Sequence, residues 1–367
     1  MKTGTRIGLA SLTGIRAVAA AWVVLYHLRG LLDALLPGVR RWVAPLELGY
    51  LGVDLFFVLS GFILTINYAH LFRTVSARGV AWFLGLRLAR IYPLHLATLG
   101  MMLALVAVGR LLGREPEGFA TAFQPPGFAW SALLVHGWGF LPEPVWNAPS
   151  WSISAEWWAY LWFPLVLLGV VRLPGPGAAV VGWAGAWVGL LVGLWLRNEG
   201  WSLDLRYHGG LLRVSGEFLI GVFAAMTVLR GMLVRRADWV ALVGLGLAVV
   251  LVGGRIFLPL LPVAFSVLIA GLANSRHGVA PILASRGLEY LGRTSFALYM
   301  VHHPMIIVLG VVLPPARFAG AGLPVRCAVF IGWFVAMNLA SFVLYQVVEE
   351  PAREWIRRRL DRWKPSR

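Results

Sequence analysis

Apolar residues run along this chain in long unbroken blocks, not in alternation and not in narrow amphipathic stripes. The blocks fall roughly at 12–32, 49–69, 85–109, 150–171, 178–196, 209–229, 238–253, 256–273, 288–311 and 324–347. Each approaches the length an α-helix needs to cross a bilayer, about twenty residues. Turn-forming punctuation separates them at Leu173-Pro174-Gly175-Pro176-Gly177, Gly253-Gly254 and Pro314-Pro315. A transmembrane β-barrel would instead show short segments of alternating hydrophobicity. The pattern predicts an all-α fold, a polytopic transmembrane helical bundle of about ten spans. The apolar stretch 128–141 is read as a buried or re-entrant piece of a long outer loop, 110–149. Counting it as a crossing would move the arginine-rich C-terminus to the other face.

Composition sharpens this reading. Of 367 residues, 59% are hydrophobic and 13% charged, and the mean hydropathy is +0.77. An ordinary soluble enzyme has far more charged surface, so the lipid bilayer is the expected environment. The 18 Trp and 9 Tyr suit membrane interfaces and helix-lined pockets. The net charge of +16 does not point to nucleic acid, because the basic residues gather at the ends of apolar blocks and form no patch. With the N-terminus inside, 19 basic residues fall in inner segments and 9 in outer ones, a bias that predicts both termini in the cytoplasm. The outer set is Arg40, Arg41, Arg110, Arg114, Arg197, Arg206, Arg255, Arg317 and Arg326, while the inner set runs from Lys2 and Arg6 to Arg367. A single cysteine, Cys327, excludes an internal disulfide and a cysteine-based zinc or redox site. Neither a His-Glu-x-x-His pair nor a P-loop occurs, so no metal and no resident cofactor are expected. The first apolar block is too long for a cleavable signal peptide.

Ionisable residues inside spans each need a reason, since insertion of one costs about 3 kcal/mol. Arg16 and His27 lie eleven residues apart in the first span, on one helical face and about 16 Å apart. Arg16 is either a snorkelling side chain or part of a site; His27 is either a satisfied core histidine or a base. Asp54, in Gly52-Val53-Asp54, and Glu156, in Trp151-Ser152-Ile153-Ser154-Ala155-Glu156, fall at a similar depth to His27. A carboxylate beside an imidazole would fix its tautomer. The bland readings are a helix cap for Asp54 and an internal ion pair for Glu156. Ser152 and Ser154 read as helix caps ahead of nucleophiles. Arg87 and Arg90, spaced i, i+3, share a face and suit an anionic group or simple inner-face anchoring. Arg213 and Glu217, spaced i, i+4, read as an internal ion pair. His302 is either structurally hydrogen-bonded or pocket-lining. Glu349 and Glu350 precede Pro351 and are expected to be solvated, pairing with the basic tail, itself a cationic segment on the inner leaflet.

In order along the chain, these residues resemble the acyltransferase 3 family of integral membrane O-acyltransferases. Arg16 and His27 match its Arg-x10-His signature, Gly52 to Phe62 its second-span motif, and Arg87 with Arg90 its Arg-x-x-Arg motif. Trp151, Ser152 and Glu156 match its Trp-Ser-x-x-x-Glu segment, Ser295 to His302 its Ser-x-x-Leu-Tyr-x-x-His pattern, and Glu349 with Pro351 its Glu-x-Pro ending. The resemblance covers nearly the whole chain and implies an acyltransferase 3-like transmembrane domain over 1–351, with a basic cytoplasmic tail at 352–367. It implies transfer of an acyl group, commonly acetyl, from cytoplasmic acyl-CoA as co-substrate to a hydroxyl. His27 would be the general base or proton shuttle, with Asp54 and Glu156 beside it. Arg16, Arg87 and Arg90 would bind the donor. Ser60, Trp151, Ser152, Tyr160, Arg213, Glu217, Tyr299, His302 and Glu349 would line the pocket.

No SGNH-type domain, of the kind fused to members that modify cell-wall glycans, is expected from these 367 residues. The expected acceptor is therefore a sugar, glycolipid or glycosylated natural product such as a macrolide, and the expected location a bacterial inner or plasma membrane. The competing expectation is a transporter or flippase for a glycan or lipid-linked sugar, in which the buried His, Asp, Glu and Arg form a proton relay. No inverted repeat is visible in support of it.

Overall fold

The computed structural model describes residues 9–39, 44–113, 119–143, 145–197 and 200–364. Lys2, Arg6, Arg40, Arg41, Arg114 and Arg367, which enter the charge bias above, lie outside these residues. Every regular element among the described residues is helical. The longer helices are α1 (Leu9–His27), α2 (Gly52–Tyr68), α3 (Ala77–Leu111), α4 (Trp151–Arg172), α5 (Gly175–Arg197), α6 (Gly210–Leu229), α7 (Ala237–Gly254), α8 (Leu261–Leu272), α9 (Arg286–Val312), α10 (Leu323–Leu344) and α11 (Glu350–Leu360).

Nine helical stretches among the described residues are long and apolar enough to cross a membrane. The tenth expected span is the shorter apolar stretch Leu258–Leu272, containing α8. The stretch 128–141 forms no crossing: its one helix, Pro125–Ala132, has eight residues, about 12 Å at the helical rise. It packs inward instead. Ser154 Oγ donates to the Leu134 carbonyl at 2.8 Å and accepts from Gly137 N–H at 3.0 Å. That satisfies backbone groups which lipid would leave unpaired.

Burial separates centre from rim. In the spans of α2 and α6, 72% of positions are buried, against 17% in that of α5. Two glycines allow α2 and α6 to touch backbone to backbone. A Cβ on Gly61 would meet the Phe218 carbonyl oxygen at 2.1 Å, and one on Gly221 would meet that of Val58 at 2.0 Å. Small residues at such crossings replace the hydrophobic drive that lipid removes.

Two departures from the expected spans matter for the site. The first helix stops at His27, not near residue 32, and the short helix Arg29–Leu35 follows after Leu28. His27 therefore sits at a helix C-terminus. The third helix begins at Ala77, before the expected 85, and its 35 residues extend about 52 Å, more than a hydrocarbon core requires. Its first turns receive the C-terminal helix. A single π-turn, Tyr345–Glu349, joins α10 to α11, and the Leu360 side chain of α11 rests on Gly85 of α3. Arg78 holds this end by donating to the carbonyls of Trp363 at 3.1 Å and Arg362 at 3.2 Å.

Candidate active site

Three cavities follow one another through the bundle and share walls. The first, about 470 Å³, lies between α3, α11 and the end of α2, and its lining includes Tyr68, Trp82, Arg87, Arg90, Arg357 and Lys364. The second, about 160 Å³, shares Arg87 and Arg90 with the first and adds Arg16, Ser60, Glu156 and Tyr160. The third, about 50 Å³, shares Val53 and Tyr299 with the second and contains His27, Tyr26, Tyr50, Asp204, Arg206 and Arg213. One end of the series is basic and the other holds the imidazole. Arg16 and His27, on one helix, mark the middle and the far cavity, as their spacing along α1 requires.

At the far end, His27 Nδ1 lies 2.8 Å from the Val23 carbonyl. A carbonyl only accepts, so Nδ1 carries the proton and Nε2 keeps its lone pair. His302, on α9, repeats the arrangement: its Nδ1 donates to the Tyr299 carbonyl at 2.5 Å and its Nε2 has no partner among the described residues. The two rings stand 4.8 Å apart. Two imidazoles with free Nε2 atoms, each oriented by a backbone carbonyl, thus meet at one site.

Asp54 does not take the place beside His27 that its depth suggested. Arg213 Nε donates to its Oδ1 at 3.2 Å, and Arg213 Nη2 bonds its Oδ2. Arg213 also pairs with Glu217 at 3.5 Å, the expected i, i+4 contact. All three side chains are buried. The approach of α2 and α6 forces Asp54 toward an arginine, since a buried carboxylate is stable only beside a charge of opposite sign.

Glu349 also departs from expectation. It is buried and pairs with Arg90, not with the tail. The π-turn at Tyr345–Glu349 carries it into the bundle, and such turns recur at functional sites. Glu350, by contrast, stays near the tail, accepting from Tyr345 Oη at 3.1 Å and lying 3.7 Å from Arg353. Arg87 is committed only in part. Its Nη2 donates to Tyr68 Oη at 3.0 Å, and its Nε has no hydrogen-bond partner among the described residues. The two arginines therefore share a helical face but hold different partners.

Ser152 and Ser154 bond to the framework. Ser152 Oγ lies 3.2 Å from the Pro149 carbonyl and 2.6 Å from Tyr299 Oη, which itself donates to Pro149 at 2.7 Å. Ser60 Oγ and Tyr160 Oη stand 3.5 Å apart in the middle cavity, whose lining also includes Arg16 and Glu156. Trp151 packs edge-on to Phe57 and under the Arg213 guanidinium at 5.5 Å.

Sequence reasoning missed several residues. Asp204 and Arg206 form a two-point pair at 3.0 and 3.2 Å in the far cavity, yet they come from a short polar loop with no motif. Asn147 is buried and donates to the Met300 carbonyl at 3.0 Å, tying the outer loop to α9. A second imidazole pair, His95 and His136, stacks at 5.8 Å. His136 Nε2 donates to Ser150 Oγ at 2.9 Å, because the Ser150 hydroxyl proton is given to Asn147. Burial pushes the His136 imidazole down to about 3, so it remains neutral and acts as a strut of the outer loop.

Residues 9–346 match the family model described as an acyltransferase domain. The chain is similar to acyltransferase MdmB of Streptomyces mycarofaciens, 30% identical with 96% of this chain and 94% of that protein covered. It is also similar to O-acetyltransferase OatA of Staphylococcus aureus, 23% identical over 94% of this chain but only 57% of OatA. A shorter likeness, 33% identical over 40% of this chain and 72% of the relative, joins it to Protein 2 in the picA locus of Rhizobium radiobacter. No solved structure matches the chain.

Proposed function

The chain belongs to the acyltransferase 3 family of multi-pass membrane acyltransferases, and from that premise we propose that it moves an acetyl or other short acyl group from acyl-CoA to a hydroxyl of a sugar, glycolipid or glycosylated natural product such as a macrolide. The observation that carries this reading is the run of cavities from a basic recess to His27, each sharing two wall residues with the next. The relative named an O-acetyltransferase supports oxygen as the acceptor atom.

Donor and acceptor meet at His27. The donor's phosphates bind at the basic end, and its thioester arm lies along the middle cavity. Arg16 is about 16 Å from His27 along α1, so it holds that arm and is too distant to stabilise the thioester oxygen. The acceptor hydroxyl sits against His27 Nε2, which takes its proton as the oxygen attacks the thioester carbonyl. The tetrahedral intermediate collapses, the carbon–sulfur bond breaks, and His27 returns the proton to the departing thiolate. His27 lies at the C-terminus of α1, where the helix carbonyls stabilise the transient imidazolium. The transfer is direct, without an acyl-enzyme. Asp54 and Glu217 act through Arg213, fixing α2 to α6 beside the site, and His302 positions the His27 ring.

The termini lie on the cytoplasmic side of a bacterial plasma membrane, consistent with the arginines clustered at the donor end. The deciding experiment incubates purified protein with acetyl-CoA and longer acyl-CoAs against a panel of hydroxylated acceptors, read by mass spectrometry. Acylated product is expected. Acceptor movement across vesicles with no acyl transfer would identify a carrier instead.

A further inference from the structure

The basic recess is built more elaborately than a topology anchor requires. Its second wall is α11 and the turn after it, which bring Arg353, Arg357 and Lys364 opposite Arg87 on α3. This wall is fixed in place: Leu360 rests on Gly85, and Arg78 holds the carbonyls of Arg362 and Trp363. Arg358 and Arg359 point to other partners, Glu354 at 3.4 Å and the Trp355 ring at 4.3 Å. Arg357 and Lys364 make no ion pair among the described residues. Asp361 is the one carboxylate in the lining, so the recess remains strongly cationic. Trp82 lines it as well: its side chain is 7% exposed, and its Nε1–H has no hydrogen-bond partner among the described residues. A buried indole N–H left unpaired is the mark of a missing acceptor. The volume, about 470 Å³, falls within the roughly 300–1,000 Å³ of small-molecule sites.

We infer that the recess between α3 and α11 is a nucleotide site, in which Arg357, Lys364 and Arg353 hold the phosphates of the donor's adenosine bisphosphate half and Trp82 Nε1–H donates to the same ligand. The inference deepens the donor reading above and rests on it. Guanidinium groups on two facing helices and an ammonium just past the end of one suit several phosphate oxygens at once, through charge-assisted hydrogen bonds. The direction of the recess selects the ligand. It shares Arg87 and Arg90 with the middle cavity, so a ligand whose phosphates bind here has its chain directed to that cavity and into the protein. A lipid headgroup would need its tails to leave toward the bilayer. The C-terminal helix is thus part of the donor site and not only a membrane-surface segment.

The test uses the full chain in neutral-lipid nanodiscs with adenosine 3′,5′-bisphosphate as probe, read by calorimetry. Wild type should bind it more tightly than adenosine. Removing Arg357 and Lys364 together (Arg357→Ala, Lys364→Ala) should weaken binding at least about tenfold, the loss expected for charge-assisted contacts. Arg358→Ala with Arg359→Ala removes the same charge outside the recess and should change binding less than about twofold. Thermal unfolding of both variants checks that α11 stays docked. Equal weakening by both pairs, or wild type preferring the bisphosphate no more than adenosine, overturns the site. So does a variant that loses only its attraction to anionic vesicles. Turnover of acetyl-CoA is measured beside it: nucleotide binding without acyl transfer sinks the acyltransfer chemistry, while transfer without nucleotide binding sinks this site.

Discussion

The two ends of the passage use charge in opposite ways. At the His27 end the charges are already paired: Asp54, Arg213 and Glu217 form one buried cluster, and Asp204 holds Arg206 by two bonds. What faces the far cavity without a partner is imidazole nitrogen. At the other end Arg90 is paired with Glu349, but Arg87 is only partly satisfied and Arg357 and Lys364 are unpaired among the described residues. Paired charges shape a cavity without attracting an ion, whereas free ones recruit a polyanion. The contrast fits a neutral hydroxyl acceptor at one end and a phosphate-bearing donor at the other.

The largest effect should come from breaking the buried cluster. Arg213→Ala leaves two buried carboxylates uncompensated and should destabilise the protein by about 3–5 kcal/mol, seen as early thermal unfolding in detergent. If this variant unfolds like wild type and only raises the acceptor KM, Arg213 belongs to the binding surface and the picture of a fully paired end is wrong.

His27→Ala comes next. It should leave expression and acyl-CoA binding intact and reduce turnover at least about a hundredfold. His27→Gln should be nearly as inactive, since it keeps a hydrogen bond but cannot accept the proton. His302→Ala, which leaves His27 bonded to Val23, should be milder. Should His302→Ala abolish turnover while His27→Ala retains most of it, the base is on α9.

Arg87→Ala has the smallest of the three effects. It should weaken acyl-CoA binding about tenfold, with kcat at saturating donor nearly unchanged, and Arg87→Lys should recover part of the loss because charge survives while the fork geometry does not. Donor affinity equal to wild type in Arg87→Ala would reduce this arginine to a partner of Tyr68.

Much of this was readable along the chain because bilayer thickness imposes itself on sequence. The apolar blocks marked the spans, and the helical period placed Arg16 with His27 and Arg213 with Glu217. Depth was readable only in part: Glu156 was expected level with His27, but it lines the middle cavity with Arg16 and not the cavity that holds His27. Lateral neighbours were not. Asp54 and His27 were expected side by side, but α2 turns Asp54 to α6, the two helices touching where Gly61 meets Phe218 and Gly221 meets Val58. Glu349 was expected with the tail, and a π-turn delivers it to Arg90. Asp204, Arg206 and Asn147 carried no signal, because loop residues follow no period.

The sequence by itself determined that the chain is a helical bundle in a membrane, and which side chains lie too deep to be there without a reason. Those facts depend on local quantities: hydrophobicity, helical rise and the unfavourable burial of charge. Only the tertiary structure decided which of those side chains meet. Helix contacts in lipid are set by a few small residues and interlocking surfaces, which join positions such as Asp54 and Arg213 or Arg90 and Glu349 across long stretches of chain. It also decided that the last helix folds back on α3, turning a basic tail into one wall of a cavity.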